Sequence, residues 1–296
     1  MPPENTNHRT FPTLGVVAIS YNEERDMGAF IDHLLPWVDE IIIVDDGSSD
    51  RTAEIAMNGG PKVKFIVSPR NENEYFSHQR NKGIAASSSE WLLHMDIDER
   101  VTPELAGEIR AAIQNESKDA YRYRRLNYFL HRPMRGGGWQ DWNHVHLAKR
   151  KILKFNGMYH EACLVDAPAE RIGQLKAKMW HLNDESYKER MEKSVMYCQE
   201  QAVRLSDNGV KMRWWNLLLL PLIEFVRKLI KKRGYKDGTL GLLFALHSGC
   251  AMFRACALVW DKQNRLDRSD IENTIRTMWN ISGNGSGKGH QWFKND

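Results

Sequence analysis

The chain has 296 residues, 42% of them hydrophobic, enough for one large core and an appendage. A net charge of +4 is too mild to call for a nucleic-acid partner, and what matters is where the basic residues fall. Cys163, Cys198, Cys250 and Cys256 have no metal-ligand spacing, and the opening MPPENTNHRTFPT lacks the apolar core of a signal peptide; a disulfide-stapled secreted module is not expected, and a reducing, cytosolic setting is.

In chain order, LGVVAIS (Leu14–Ser20) reads as a buried strand, followed by Tyr21-Asn22-Glu23-Glu24 and a helix over about Met27–Leu35 that Pro36 closes. EIIIV (Glu40–Val44) is a second strand ending in Asp45-Asp46-Gly47-Ser48-Ser49-Asp50, where Ser49 or Asp50 suits the cap of a helix over Arg51–Met57. Lys62–Val67 is a third strand, Phe76–Ala86 a helix and Trp91–Met95 a fourth strand, set off by Ser87-Ser88-Ser89. Strand and helix in alternation predict right-handed crossovers and a mainly parallel sheet, whose ligands bind beyond the carboxyl ends of the strands. Ser20–Glu23, Asp45–Ser48 and Asp96–Glu99 all fall at such ends.

The fourth strand ends in Asp96-Ile97-Asp98-Glu99. Asp96 and Asp98, two apart, point the same way in extended chain and suit one hard cation, Mg2+ or Mn2+. A lone D-x-D is common by chance and otherwise reads as the solvated start of the helix near Pro103. There is no G-x-G-x-x-G after the first strand and no Walker lysine loop, and the glycine-rich Gly283–Gly289 reads as a flexible tail. A nucleotide would therefore be held by carboxylates on base and ribose and by a metal on the phosphates. Asp45 or Asp46 suits the first task, although DDGSSD also reads as a well-capped turn.

VVAISYNEE, IIIVDDGSSDRT, the Gln79–Ile84 segment QRNKGI and WLLHMDIDE stand in the order and spacing of family 2 glycosyltransferases of the GT-A fold, which the chain resembles over its first hundred residues. Further on, RKILKFNGMYHEACLVD and MWHLND resemble the lipopolysaccharide-core β-1,4-glucosyltransferase group, less sharply as far as Trp260. The resemblance implies a nucleotide-sugar donor of UDP-glucose type, a divalent metal and inversion at the anomeric carbon. It places Ser20, Asn22, Glu23, Asp45 and Asp46 at the nucleotide, Asp96 at ribose or metal and Asp98 on the metal.

Such a transfer needs the leaving diphosphate neutralised, by the metal and by Arg80 and Lys82, although both also read as solvated helix charges. It needs a base for the acceptor hydroxyl. Many members carry a Glu-Asp pair there; this chain lacks it, and Glu161 is the nearest substitute, ahead of Asp141 and Asp166. His181, ending the apolar Lys178–Leu182, is a candidate third metal ligand, His160 a weaker one, and a lone histidine is more often structural. Tyr121–Leu130 and His144–Leu153 read as acceptor-side strands joined by a loop with Gly136-Gly137-Gly138-Trp139, where Trp139 and Trp142 either stack on sugar or pin the loop. No Q-x-x-R-W motif of processive synthases occurs, since Val210 stands in the Gln position before Arg213-Trp214; a single transfer is expected.

Tyr187–Leu205 reads as a polar bracing helix, and Trp214–Val226 as an apolar segment too short to span a bilayer, followed by Arg227, Lys228, Lys231, Lys232, Arg233 and Lys236. Thr239–Trp260 reads as a marginal span, a re-entrant helix or a core helix; a monotopic hairpin on an anionic surface is the expectation. The sequence thus predicts an α/β GT-A domain over about 1–205, a membrane-associated helical region over 206–280 and a tail over 281–296. Its expected task is moving one sugar to a lipid-linked glycan at the cytoplasmic face of the inner membrane. The alternatives are transfer to a polyprenyl phosphate and a non-catalytic sugar-nucleotide-binding scaffold.

Overall fold

The computed structural model describes residues 11–71, 74–157 and 162–282. Glu161, His160 and the glycine-rich tail expected at 283–289 lie outside the described residues. The chain divides into two compact units, Met1–Met191 with Val226–Ala245, and Glu192–Phe225 with Leu246–Asp296.

The first unit opens with β1 (Leu14–Ser20), α1 (Glu24–Leu34), β2 (Glu40–Asp45), α2 (Thr52–Met57), β3 (Val63–Val67), α3 (Phe76–Ala86) and β4 (Trp91–His94). β5 (Glu99–Arg100), α4 (Pro103–Ala112), β6 (Ala120–Phe129), β7 (Arg132–Pro133), β8 (Asn143–Lys149), β9 (Leu153–Asn156), β10 (Ala162–Val165) and β11 (Ile172–Asp184) follow. The apolar runs of β1, β2 and β4 form the centre of a sheet ordered β3-β2-β1-β4-β8-β6-β11-β5, with β7 on β6 and a separate β9-β10 ribbon. β3, β2, β1 and β4 are parallel, as alternation with helices requires. Beyond β4 the sheet is mixed: β8 is antiparallel to β4 and β6, β11 is parallel to β6, and β5 is antiparallel to β11.

Two local devices bring the site residues to the sheet's end. The Ser87-Ser88-Ser89 turn donates amides and hydroxyls to the Glu40 carboxylate, which fixes the start of β4 against that of β2. α3 lies close on β1 because Gly83 has no side chain; a Cβ there would collide with Val17, and the same helix carries Arg80. The core on one sheet face runs through Val16, Ala18, Phe30, Ile41, Ile43, Leu93 and Tyr123, and on the other through Val17, Ile42, Val44, Leu92 and Phe155. Burial of this many large side chains, each worth about 1.5–3 kcal/mol, is what offsets the ordering of the chain.

The first unit also holds the end of α6 (Asn216–Val226 in full), a π-helical turn (Arg227–Lys231) and the start of α7 (Gly238–Asn264). This basic turn docks on the loop after β7. Gly137 N–H donates to the Lys232 carbonyl at 2.9 Å, and the Asp237 carboxylate accepts from Arg135 N–H at 2.9 Å and Gly136 N–H at 2.8 Å. A Cβ on Gly136 would collide with the Arg233 carbonyl, so backbone lies directly on backbone. Phe129, Met134 and Phe244 close the contact from within, with Trp139 packed on Phe244 at 4.6 Å between centroids.

The second unit contains most of α5 (Tyr187–Asp207), α6, the rest of α7 and α8 (Arg268–Ser282). Its small core is Ala202, Met212, Ala255, Cys256 and Val259. No residue of α6 is buried, and Leu218, Leu219, Leu222 and Ile223 are each half or more exposed. Among the described residues, Gly234–Asn264 is long and apolar enough to cross a membrane. All four cysteines are free thiols.

Candidate active site

At the ends of β1 and β2 the two expected nucleotide segments are knitted to each other. Ser20 Oγ donates to Asp45 Oδ1 at 2.8 Å, and Asp45 Oδ2 accepts from the N–H groups of Gly47 and Ser48 at 3.0 and 2.7 Å. Asn22, at φ 55°, accepts from Ser49 N–H at 2.8 Å, and its own N–H donates to Ser48 Oγ. Asp45 is 1% exposed, and its carboxylate builds the turn. Asp45 and Ser20 both satisfy buried polar groups of the fold. Glu23 donates its N–H to Thr52 Oγ1. Asp46 is placed differently, beyond the turn, where Arg70 grips it through its N–H and guanidinium at 2.7 Å and lies over Phe76.

The fourth strand end gathers the charges. Asp96 Oδ1 faces the Arg80 guanidinium at 3.2 Å, and Oδ2 faces Arg125 Nη2 at 2.9 Å. Arg80 also touches the fully buried His94 at 2.7 Å, a neutral ring because burial first, and Arg80 second, press its pKa well below the usual value. Burial alone would raise the Asp96 carboxyl, but the two guanidiniums outweigh it and hold the group well below the ordinary carboxylate range. Arg125 in turn is paired with Glu99, which is 0% exposed and whose carboxylate accepts the Asp96 N–H at 2.9 Å. Its guanidinium carbon stands 4.1 Å from the centre of the Trp142 ring.

Asp98 Oδ2 meets His181 Nε2 at 3.2 Å, and the other ring nitrogen lies 2.8 Å from Asn127 Oδ1. Distant in sequence, these residues meet because β11 pairs with both β5 and β6, setting His181 opposite Glu99 and Asn127. Asn127 Oδ1 only accepts, so Nδ1 carries a proton and Nε2 is the atom turned to Asp98. Burial works against the charged ring, but the hydrogen bond and charge of Asp98 outweigh it, leaving the His181 pKa raised. Ligand atoms of Asp96, Asp98 and His181 all lie within 4.8 Å of one another. Two carboxylate oxygens and one imidazole nitrogen form a donor set that fits Mg2+ or Mn2+.

Lys82 is not part of this gathering: its ammonium is held by Glu74 at 2.8 Å and Ser68 at 2.9 Å. Trp139 and Trp142 pin the loop and the site wall, one on Phe244 and the other under Arg125, and neither is an open stacking platform. Asp141 is tied to Lys232 at 2.5 Å. Sequence reasoning passed over Arg125 and Asn127, and gave Glu99 no role beyond its place in the acidic strand end. The available signal was a pair of polar residues, Arg125 and Asn127, alternating with apolar ones along a strand otherwise buried on that side.

The family model described as glycosyl transferase family 2 matches residues 15–165, half of the chain. The chain belongs to that family. Over 276 residues it is 24% identical to the lipopolysaccharide core biosynthesis glycosyltransferase LpsC of Rhizobium meliloti, covering 88% of this chain and 97% of that one. An uncharacterized glycosyltransferase of Rickettsia typhi is 27% identical over 247 residues, 79% of this chain and 82% of its relative. Among solved structures, glucosyl-3-phosphoglycerate synthase from Mycobacterium tuberculosis in complex with Mn2+ and UDP-glucose is similar at a TM-score of 0.45 and 19% identity, over 68% of this chain and 80% of that one. In this family 2 chain the matched region takes in every residue of the charged cluster except His181.

Proposed function

We propose that this family 2 glycosyltransferase is an inverting, metal-dependent enzyme that moves one hexose from a UDP-sugar to a lipid-linked glycan of the lipopolysaccharide-core kind. The observation that carries this reading is the convergence of Asp96, Asp98 and His181 Nε2 beside two guanidiniums, at the carboxyl end of the central strands. Asp98 and His181 would hold the cation, with Asp96 sharing it. A cation there supplies Lewis-acid neutralisation of the diphosphate. Asn127 fixes which imidazole nitrogen faces the site, and Arg80 adds a positive charge at its edge. Asp46 and Arg70, past the end of β2, are assigned to the nucleoside.

In the transfer, the acceptor oxygen bonds to the anomeric carbon as the bond to the diphosphate breaks, and UDP leaves with the electron pair. The hydroxyl proton goes to a carboxylate, for which Glu161 remains our assignment, since Asp141 is already engaged by Lys232. The likeness to LpsC supports the acceptor class. Two surfaces support a membrane location at the cytoplasmic face, each within its own unit. One is the basic turn from Arg227 to Lys236; the other is the face of α6 that exposes Leu218, Leu219, Leu222 and Ile223. Because the basic turn is bolted to the loop from Met134 to Asp141, whose Trp139 carbonyl touches Asn127, lipid contact and acceptor loop move as one piece.

The test is a thermal-shift series with UDP-glucose, UDP-galactose, GDP-mannose and other nucleotide sugars in Mn2+ and in EDTA. One UDP-sugar is expected to raise Tm in Mn2+ and not in EDTA. Equal shifts in both media would remove the metal from the account.

A further inference from the structure

Arg125 is the more confined of the two guanidiniums at the site. Its side chain is 11% exposed, backed by the Trp142 ring on its face and by the fully buried Glu99 on its Nε edge. Its remaining edge, Nη2, is spent on Asp96 Oδ2, while Arg80 holds Oδ1. The carboxylate that the D-x-D pattern marks for a cation thus has a guanidinium on each oxygen.

The charges around it make this arrangement conditional. Asp96 and Glu99 pair with Arg80 and Arg125, and Asp98 pairs with His181, so the cluster is close to balanced. A divalent cation arriving alone must compete with both guanidiniums for Asp96 and leaves an excess of positive charge in a poorly solvated place. A cation arriving with a diphosphate does neither, because the phosphate oxygens give the released guanidinium a new bidentate partner.

We propose that Arg125 is a donor-binding residue that Asp96 holds in waiting: its Nη2 shields Asp96 Oδ2 from a lone cation and passes to the donor's diphosphate when the cation takes that oxygen. Glu99 retains the Nε edge throughout, so the exchange needs no large side-chain movement. The inference rests on the metal and nucleotide reading of the site given above. It adds that cation and diphosphate bind cooperatively, and that this cooperativity resides in Arg125. A residue with a purely structural role would weaken both ligands together when removed, whereas this one acts on them in opposite directions.

The experiment uses the full chain and two probes, Mn2+ alone (free-ion spin resonance titration) and UDP in saturating Mn2+ (calorimetry). Wild type is compared with Arg125→Gln, Arg125→Lys and the double variant Arg125→Gln/Glu99→Gln, which leaves no unpaired buried carboxylate if the single variant fails to fold. In the glutamine variants Mn2+ alone is expected to bind about tenfold more tightly and UDP in Mn2+ about ten- to hundredfold more weakly, the scale of losing a residue that supports a metal site. Arg125→Lys keeps the charge and should recover part of both. Losses of both affinities in parallel, or no change in either, would overturn the inference while leaving the proposed function standing. Failure of the wild type to bind UDP in Mn2+ would overturn both.

Discussion

Asn127→Ala separates the metal centre from the donor acids, because Asn127 touches the site only through His181 Nδ1. The substitution removes an oxygen that accepts from His181 Nδ1 at 2.8 Å and from Asn183 Nδ2 at 3.2 Å, and a longer contact from its amide to the Trp139 carbonyl at 3.4 Å. At 3.4 Å the last is worth little, and the loss of the Asn183 contact falls on folding alone. The loss at the site is set by the first, since a nearly buried imidazole N–H without a partner costs about 1–3 kcal/mol. Part of that cost falls on folding. The rest falls on the cation, since the ring is free to turn and Nε2 is no longer held toward Asp98. Loss of such a supporting residue corresponds to about ten- to hundredfold in metal affinity, or about 1.4–2.7 kcal/mol. Titrating Mn2+ into the protein with UDP present, and following Tm, measures both parts. The expected result is a small fall in Tm without metal and a Mn2+ midpoint raised by that factor. An unchanged midpoint would refute the assignment of His181 as a ligand.

Glu161→Gln keeps shape and loses basicity, so kcat should fall by about a hundredfold or more while donor affinity holds; a rate within a few-fold of wild type would move the base elsewhere. Reversing the charge of Lys231, Lys232 and Arg233 together should release the protein from anionic vesicles at low salt, each basic side chain adding about 1 kcal/mol there, and spare donor hydrolysis in solution. Sedimentation with vesicles as in the wild type would exclude the basic turn as the contact. For stability against pH, the His33 pKa is lowered to about 4 and that of His146 to about 3, chiefly by burial. Each ring is neutral when folded and takes a proton when unfolded, so stability is full above pH 6.5 and falls as the pH drops toward 4, by up to about 1.4 kcal/mol per unit for each. His181, with its raised pKa, works the other way, and denaturant midpoints at pH 7.5 and 5.0 read the difference.

How far the site was legible in the sequence follows from which contacts are local. Asp96 and Asp98 stand out because a buried run stops at them, and the parallel half of the sheet follows from strands alternating with helices. His181 was marked by its place at the end of an apolar segment. Arg125 and Asn127 were not, nor was the pairing of Glu99 with Arg125, since these depend on β6, β5 and β11 lying side by side, and no periodicity encodes that pairing. Asp45 shows the converse: the same residue type closes a turn or binds a ligand, and the four internal hydrogen bonds by which it closes the turn are visible only in the fold. The bolt between Gly136 and Asp237 joins segments a hundred residues apart, each of which alone reads as a polar loop.

The central claim is that sugar transfer runs through a cation held at Asp98. Release of UDP from UDP-glucose, measured with a bacterial lipid extract as acceptor in Mn2+ and again after EDTA, tests it most directly in wild type and Asp98→Asn. The account predicts activity that EDTA abolishes and Mn2+ restores, and a variant that folds normally yet turns over about 10²–10³-fold more slowly, a loss of about 2.7–4 kcal/mol in transition-state stabilisation. Near-wild-type turnover by Asp98→Asn, or activity indifferent to EDTA, would contradict it.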